Sequence, residues 1–309
     1  TEQVAGFLTA MTIKNETVEE LTAFVRVMRK YATKVNLDVE NAVDLVGTGG
    51  DKSGTFNIST ASAFVVAGAG VPIIKHNNRS ASSNVGSADV LEALGAVIEL
   101  DARQTKQVFE EVGMAFMFAP MFHPGMKYVM PARRQLGFRT FFNILGPMVN
   151  PAGIDRYVIG AYSEYVAQNM MQILTKLGVT RAFTFHSADG LDELSVTAPS
   201  TIFEFDGSRQ KASFEFMPQD LGFERSEFRD LIGGSKTENA EILTGILKNQ
   251  SKKAQKDIVA LNAAYGIYAS GNVKDIMEAR DRTVDSIESG KAFQVCDMYL
   301  QATKDIATS

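Results

Sequence analysis

The chain has 309 residues, long enough for one large domain or a large domain with a smaller companion, and its 45% hydrophobic and 22% charged composition is that of an ordinary globular protein. A net charge of −5 with no block of like charges argues against nucleic-acid binding as the main role, because surfaces that track phosphate are basic. Cys296 is the single cysteine, which excludes an intrachain disulfide and a cysteine-built zinc site; a reducing cytoplasm is the simplest compartment, and no apolar run reaches membrane-spanning length.

In chain order, Thr1 opens inside what reads as a helical segment, EQVAGFLTAM, with no initiator Met, so a preceding piece is expected. Residues 1–35 read as helices. Thr17 and Glu20 in NETVEEL form a capping box, and Leu21, Phe24, Val25 and Met28 recur at i, i+3, i+4 and i+7, the spacing of one buried face. From Val43 the pattern becomes strand, glycine turn, helix. AVDLVG reads as a strand, TASAFVVAGAG as a small-residue helix and PIIKH as a second strand. SADVLEALG is a helix closed by Gly95, AVIEL is expected as a strand, and DARQTKQVFEEVG is an amphipathic helix closed by Gly113. Such alternation means right-handed βαβ units and a mostly parallel sheet.

Residues 123–147 break that rhythm and read as one or two helices packed beside the N-terminal ones. The α/β style resumes with a strand at DRYVIGAY, a helix over 164–177 and a strand at RAFTFH. An antiparallel pair follows around TIFEFDGSRQKASFEF, and the last seventy residues are mainly helical. The expected architecture is therefore α/β, a mostly parallel central sheet with a small all-helical domain. The helical domain takes residues 1–40 with 122–147, and the large domain takes 41–121 with 148–309.

Three polar stretches stand at strand ends, where open parallel sheets bind ligands. The first, VDLVGTGGDKSGTFNIST, places Gly47, Gly49 and Gly50 after a buried strand. Glycines there permit positive φ and let an anion reach backbone N–H donors. The run matches neither GxxxxGK[ST] nor GxGxxG, which removes support for nucleotide triphosphates and dinucleotides. A tight βα turn without a ligand is equally open from the glycines alone. Asn57, Ser59 and Thr60 shift the balance: Ser59 or Thr60 can cap the next helix, and the pair also suits a phosphate or metal–phosphate contact.

The second stretch, IIKHNNRSASSNVGSAD, carries Lys75, His76, Asn77, Asn78, Arg79, Ser80, Ser82, Ser83 and Ser87, a cation followed by amides and hydroxyls that suits a second anionic group. The plainer reading is a polar loop whose serines cap the helix at 87. The third, SADGLDELS, puts Asp192 next to Glu193. Adjacent acids in a loop are usually solvated; beside a phosphate site they suit Mg²⁺, which takes oxygen ligands and keeps water and substrate phosphate in its shell.

With these stretches in view, the chain resembles the anthranilate phosphoribosyltransferase family, on GTGGD, NIST, a KHGNR-like run, GSADVLEALG, an HP…R..LG.RT.FN.LGP..NP run and GLDE, all in order. The resemblance implies transfer of a ribosyl phosphate from phosphoribosyl pyrophosphate to the amine of anthranilate. By position it puts Gly47, Thr48, Gly49, Gly50, Asp51, Thr55, Asn57, Ser59, Thr60, Lys75, Asn78, Ser83 and Ser87 in the phosphoribosyl pyrophosphate site. It assigns Ser59, Asp192 and Glu193 to Mg²⁺, and Gly47, His76, Asn78, His123, Arg133 and Pro147 to anthranilate. A homodimer through the helical domain is also implied, and His186, outside every motif, reads as structural. One departure is local: Asn77 stands where the family has glycine, and because asparagine tolerates left-handed backbone the loop shape is expected to survive. The family also usually begins with two further helices. The alternatives are a nucleoside phosphorylase-like enzyme and a non-catalytic nucleic-acid-binding relative; the intact Asp192–Glu193 pair and the negative charge count against the latter.

Overall fold

The computed structural model describes residues 1–79 and 85–308; Ser80, Ser82 and Ser83 therefore lie outside the described residues. Two helices open the chain, α1 (Glu2–Lys14) and α2 (Val18–Tyr31). In α2 the expected capping box forms, Glu20 N–H donating to Thr17 Oγ1 at 3.2 Å and Thr17 N–H to Glu20 Oε2 at 3.0 Å. The α/β part follows as β1 (Val43–Gly47), α3 (Ile58–Gly68), β2 (Ile73–Asn77), α4 (Ser87–Leu94), α5 (Ala102–Val112) and β3 (Met114–Phe118). After β3 come only short helices, α6 (Ala119–Phe122) and, within the break in rhythm, α7 (Met130–Leu136) and α8 (Phe142–Leu145), with 3₁₀ turns around them. Then come β4 (Arg156–Gly160), α9 (Glu164–Leu177), β5 (Arg181–Ser187), β6 (Ser200–Phe205) and β7 (Phe214–Phe216). Four helices close the chain: α10 (Lys236–Leu247), α11 (Lys253–Ser270), α12 (Ile276–Glu288) and α13 (Lys291–Thr308).

The strands form one sheet in the order β3-β2-β1-β4-β5-β6-β7. β1 to β5 run parallel, and β6 and β7 add an antiparallel edge. Because side chains alternate across a strand, the sheet buries two separate layers. Val43, Leu45, Ile73, Phe116 and Val158 pack with α3 and the C-terminal helices. Val46, Ile74, Met117, Tyr157 and Ile159 pack with α1, α2 and α9 on the other face. The N-terminal helices join this second layer through rings: Phe24 stacks on Phe141 at 4.6 Å, and Phe7 meets both edge-on. Among the described residues no helix is long and apolar enough to cross a membrane.

Two expected elements are corrected. AVIEL (96–100) is not a strand. Ala96, Ile98 and Leu100 are buried in alternation, as a strand would require, but the backbone turns to α13 instead, Val97 N–H donating to Thr303 Oγ1 at 3.2 Å. The strand is MAFMF, straight after the left-handed Gly113 cap and buried along its whole length, so it shows no alternation to read. The expected caps shift as well. Asn57 is the N-cap of α3, with Ser59 and Thr60 inside the first turn. Gly86 is the N-cap of α4, its N–H donating to Asp89 Oδ2 at 2.9 Å, which leaves Ser87 as the first helical residue.

Candidate active site

The C-terminal ends of β1, β2 and β4 converge with the N-terminus of α3 on the glycine loop. Thr48 continues the ladder by donating to Gly160 O at 2.9 Å, and its Oγ1 accepts from Tyr162 N–H at 3.2 Å. Gly49 and Gly50 then take φ of 71° and 77°, a region open to glycine at no steric cost. Asp51 turns the chain by accepting from Ser53 N–H at 3.2 Å. Thr55 pairs across to Ile232, and Gly54 O accepts from Gly233 N–H at 2.9 Å, pinning the far side of the loop.

The bare strand ends have an occupant. Gly47 and Gly160 are register partners in neighbouring strands. A Cβ on Gly47 would sit 2.7 Å from Asp192 Cγ and nearer still to its Oδ2, and one on Gly160 would collide with the Asp192 carbonyl. Asp192 Oδ2 accepts from Gly49 N–H at 2.6 Å, and Glu193 Oε1 from Ser59 N–H at 3.1 Å at the head of α3. The donors that the sequence offers to an anion thus hold the two carboxylates. Lys75 is fully buried beneath them, its ammonium donating to Leu45 O at 2.5 Å and Ser59 Oγ at 3.1 Å.

These charges are costly where they stand. Burial raises the Asp192 carboxyl well above its usual range, and the neighbouring Asp51 and Glu193 charges raise it further. Burial pushes Glu193 up to about 7 although Lys75 pulls it back. Lys75 is itself lowered by burial, against the pull of Asp44, Glu193 and Asp192. Carboxylates and a serine hydroxyl around excess buried negative charge are the donor set of a hard divalent cation. No trio of His, Cys, Asp and Glu forms a ligand cluster among the described residues. Two further polar atoms beside the loop, Asn57 Oδ1 and Thr60 Oγ1, are buried without a hydrogen-bond partner and fit a ligand oxygen.

The opposite side of the site is aromatic and neutral. His76 and His123 meet edge to face at 5.0 Å. Burial, and for His76 the neighbouring ring, depress them to about 3 and about 4. No His76 nitrogen makes a hydrogen bond of ordinary geometry; the Gly146 carbonyl lies near enough only to favour the charged form slightly. Pro147 is buried in the 3₁₀ turn Gly146–Met148 beside them. Beneath, Asn150 Nδ2 ties Asp44 Oδ2 at 2.9 Å to Ile74 O at 2.8 Å.

Two family models match the chain, a glycosyl transferase a/b domain over residues 39–293 and a glycosyl transferase helical bundle domain over residues 1–32. The anthranilate phosphoribosyltransferase of Pelotomaculum thermopropionicum is 49% identical over 94% of this chain and 84% of its own length. The chain belongs to the anthranilate phosphoribosyltransferase family. The crystal structure of the Thermus thermophilus anthranilate phosphoribosyltransferase superposes with a TM-score of 0.91 at 38% identity, covering 97% of this chain and 89% of that one. The Saccharomyces cerevisiae anthranilate phosphoribosyltransferase in complex with PRPP and Mg gives 0.89 at 27% identity, covering 98% and 85%. The same yeast protein with 4-fluoroanthranilate gives 0.87 at 26%, with the same coverage.

For an anthranilate phosphoribosyltransferase, the residues expected from sequence fall into three groups here. Gly47, Thr48, Gly49, Ser59, Lys75, Asp192 and Glu193 form one connected cluster. Asn57 reaches sideways, donating to Val85 O at 3.1 Å, and Asn78 O accepts from Ala88 N–H at 3.4 Å, so both brace the start of α4. Arg133 is held within its own segment, over the Phe142 ring at 5.3 Å and 3.5 Å from Asn143 Oδ1. Asn77 corrects the expectation of a left-handed residue. It ends β2 at a φ that is not positive, and its side chain donates to Ser87 Oγ at 3.0 Å while accepting from Asn78 N–H at 2.8 Å. His186, read from the sequence as structural, has its Nδ1 2.8 Å from Ala161 O.

Sequence reading left three residues without a role. Gly160 closes a strand as Gly47 does, a repeat visible in DLVG and YVIG. Arg139 stacks on the Tyr162 ring at 4.1 Å and donates to Gly50 O, crossing from the helical segment to the glycine loop. Asn262 is a lone amide in the otherwise apolar run IVALNAAYGI, and a fully buried polar side chain there was the available signal.

Proposed function

We propose that the chain transfers the 5-phosphoribosyl group from phosphoribosyl pyrophosphate to the amine of anthranilate, giving N-(5-phosphoribosyl)anthranilate and pyrophosphate. The observation that carries this is the buried Asp192–Glu193 pair seated on the glycine loop and the α3 N-terminus, in a member of this family. As pyrophosphate leaves C1 of the ribose, negative charge grows on its oxygens and the ring becomes oxocarbenium-like. Gly49 N–H, Ser59 N–H and Lys75 already hold or offset the two carboxylates, and the Thr60 hydroxyl, buried without a partner, is a donor left free to face that charge. Ser59, Asp192 and Glu193 would hold Mg²⁺, whose charge supplies further stabilisation of the leaving group. Gly47 and Thr48 lie where donor and acceptor meet, with Gly50, Asp51, Thr55, Asn57, Thr60, Asn78 and Ser87 lining the donor side; Ser83 belongs with them by sequence. An arylamine needs little activation, and a neutral His76–His123 pair is suited to shaping an aromatic acceptor site rather than to taking a proton. We assign His123, Asn78 and Pro147 to that side, and Arg133, held here over the Phe142 ring, to the acceptor carboxylate.

The helical unit, residues 1–40 with 122–147, is read as the part that closes over both substrates. Phe7, Ile13, Val27 and Tyr31, exposed on α1 and α2, support a homodimer contact through that unit. The buried free thiol of Cys296 accords with a reducing cytoplasm. The test is loss of anthranilate fluorescence on mixing with phosphoribosyl pyrophosphate. A decay that needs Mg²⁺ and stops with EDTA is expected; no decay with both substrates bound would remove the reaction.

A further inference from the structure

We propose that Asn262 is a positioning residue that sets the distance between the Asp192–Glu193 pair and the head of α3, and so the affinity of the site for its divalent cation; the inference rests on the metal reading above. Asn262 is fully buried, 68 residues away in sequence from Leu194, which follows the pair directly. Its Oδ1 accepts from Leu194 N–H at 3.0 Å, and its Nδ2 donates to Leu194 O at 2.9 Å and to Ile258 O at 2.8 Å. One amide thus fixes both backbone groups of a single loop residue, and every polar atom of the clamp is satisfied.

The helix that carries Asn262 is itself fixed to the rest of the site. Val259, Asn262 and Gly266 recur at i, i+3 and i+7 on one face of α11. Val259 O accepts from Ser62 Oγ of α3 at 3.2 Å. Gly266 lets α11 approach so closely that a Cβ there would lie 2.8 Å from Val66 and 3.1 Å from Leu45. The same face therefore registers against α3, which presents Ser59, against β1, which leads to Gly47, and against the carboxylate loop. Ser187 Oγ adds a bond to Glu193 O at 2.6 Å, from β5. Asn262 is the amide through which one helix spans both halves of the cation site. Metal affinity depends on such outer contacts, because a carboxylate free to wander must be ordered on binding.

The test uses the full chain with Asn262→Leu, which keeps the volume and removes both clamp bonds, and Ser270→Ala as a control. Ser270 lies at the far end of α11, where its Oγ donates to Ile267 O at 2.6 Å and accepts from Asn272 N–H at 3.2 Å, so its loss removes buried bonds of the same helix without touching the carboxylate loop. Mn²⁺ binding in the presence of phosphoribosyl pyrophosphate is followed by electron paramagnetic resonance, beside the melting temperature. We expect Mn²⁺ affinity to fall by about 10- to 100-fold in N262L and to stay at the wild-type value in S270A. Raised Mg²⁺ should recover turnover in N262L with the Michaelis constant for anthranilate unmoved. Wild-type Mn²⁺ affinity in a cooperatively melting N262L would overturn the inference alone. A wild-type protein that binds no Mn²⁺ with phosphoribosyl pyrophosphate would overturn the metal reading, and the inference with it. If N262L does not melt cooperatively, N262A, which removes the same bonds and leaves room for water at the Leu194 backbone groups, carries the same comparison.

Discussion

At the scale of residues, the site is held in a state that costs free energy. Asp192 and Glu193 are buried beside each other and near Asp51, with backbone donors and one buried lysine as their compensation. Neutral isosteres keep the shape and remove the charge. Asp192→Asn with Glu193→Gln is expected to lower Mg²⁺-dependent turnover by about 100-fold or more while the ligand-free melting temperature stays level or rises. A matching fall in melting temperature would show that the carboxylates hold the loop rather than a cation. The histidine pair makes the opposite bargain with pH. His76 and His123 are depressed from 6.5 to about 3 and about 4, so the unfolded chain binds protons that the folded one refuses. The stability they leave intact above pH 6.5 is lost as pH falls toward the folded values. At pH 5 the loss is about 2 kcal/mol for each ring. His76→Gln should therefore flatten the decline of melting temperature between pH 7 and pH 5, and an unchanged slope would show that the ring is not held neutral.

At the scale of elements, the stretch between β2 and α4 is tied at its base by Asn77, the residue read from the sequence as a departure from the family glycine. Asn77 bridges to Ser87 Oγ, and Arg79 adds paired contacts to Glu92 on α4. Restoring glycine removes the bridge and adds backbone freedom, which together cost about 1–3 kcal/mol. Asn77→Gly should lower the melting temperature and raise the Michaelis constant for phosphoribosyl pyrophosphate, the substrate assigned to Asn78 and Ser87. A variant equal to wild type in both would make the departure silent. The sequence carried the elements whose signals are local. The Thr17 capping box, the helix over 164–177 and the glycine stops at Gly95 and Gly113 all appear as read, because caps and left-handed glycines are decided within a turn. AVIEL reads as a strand and MAFMF goes unread because their difference lies in what they pair with, α13 in one case and β2 in the other. The same divide runs through the site. Motif residues could be named one by one, but that Asp192 would fill the space above Gly47 and Gly160 depends on a contact across 143 residues, from Gly49 to Asp192, which no local pattern encodes.

At the scale of the whole molecule, the N-terminal helices and the segment from Phe141 to Val149 belong to one core layer. Phe24 of α2 stacks on Phe141, and Phe141 contacts Phe142, whose ring lies under Arg133. From the same helix Arg29, five residues after Phe24, donates to the O of Met148, which follows Pro147, at 2.7 Å and to Tyr157 OH at 2.9 Å. Tyr157 in turn donates to Ile154 O at 3.0 Å, so the guanidinium joins α2, the Gly146–Met148 turn and β4 in one network. A helix that merely covered the sheet would affect stability alone. A helix that sets the turn beside His76 and His123 would affect acceptor binding too. Arg29→Ala leaves the Met148 carbonyl without its charged donor, at a cost of about 1–3 kcal/mol. The expected result is a lower melting temperature with a raised Michaelis constant for anthranilate and an unchanged one for phosphoribosyl pyrophosphate. A fall in melting temperature with both constants unchanged would reduce α2 to a scaffold, whereas a rise in both would mean that the two substrate sites share one hinge rather than two separable walls.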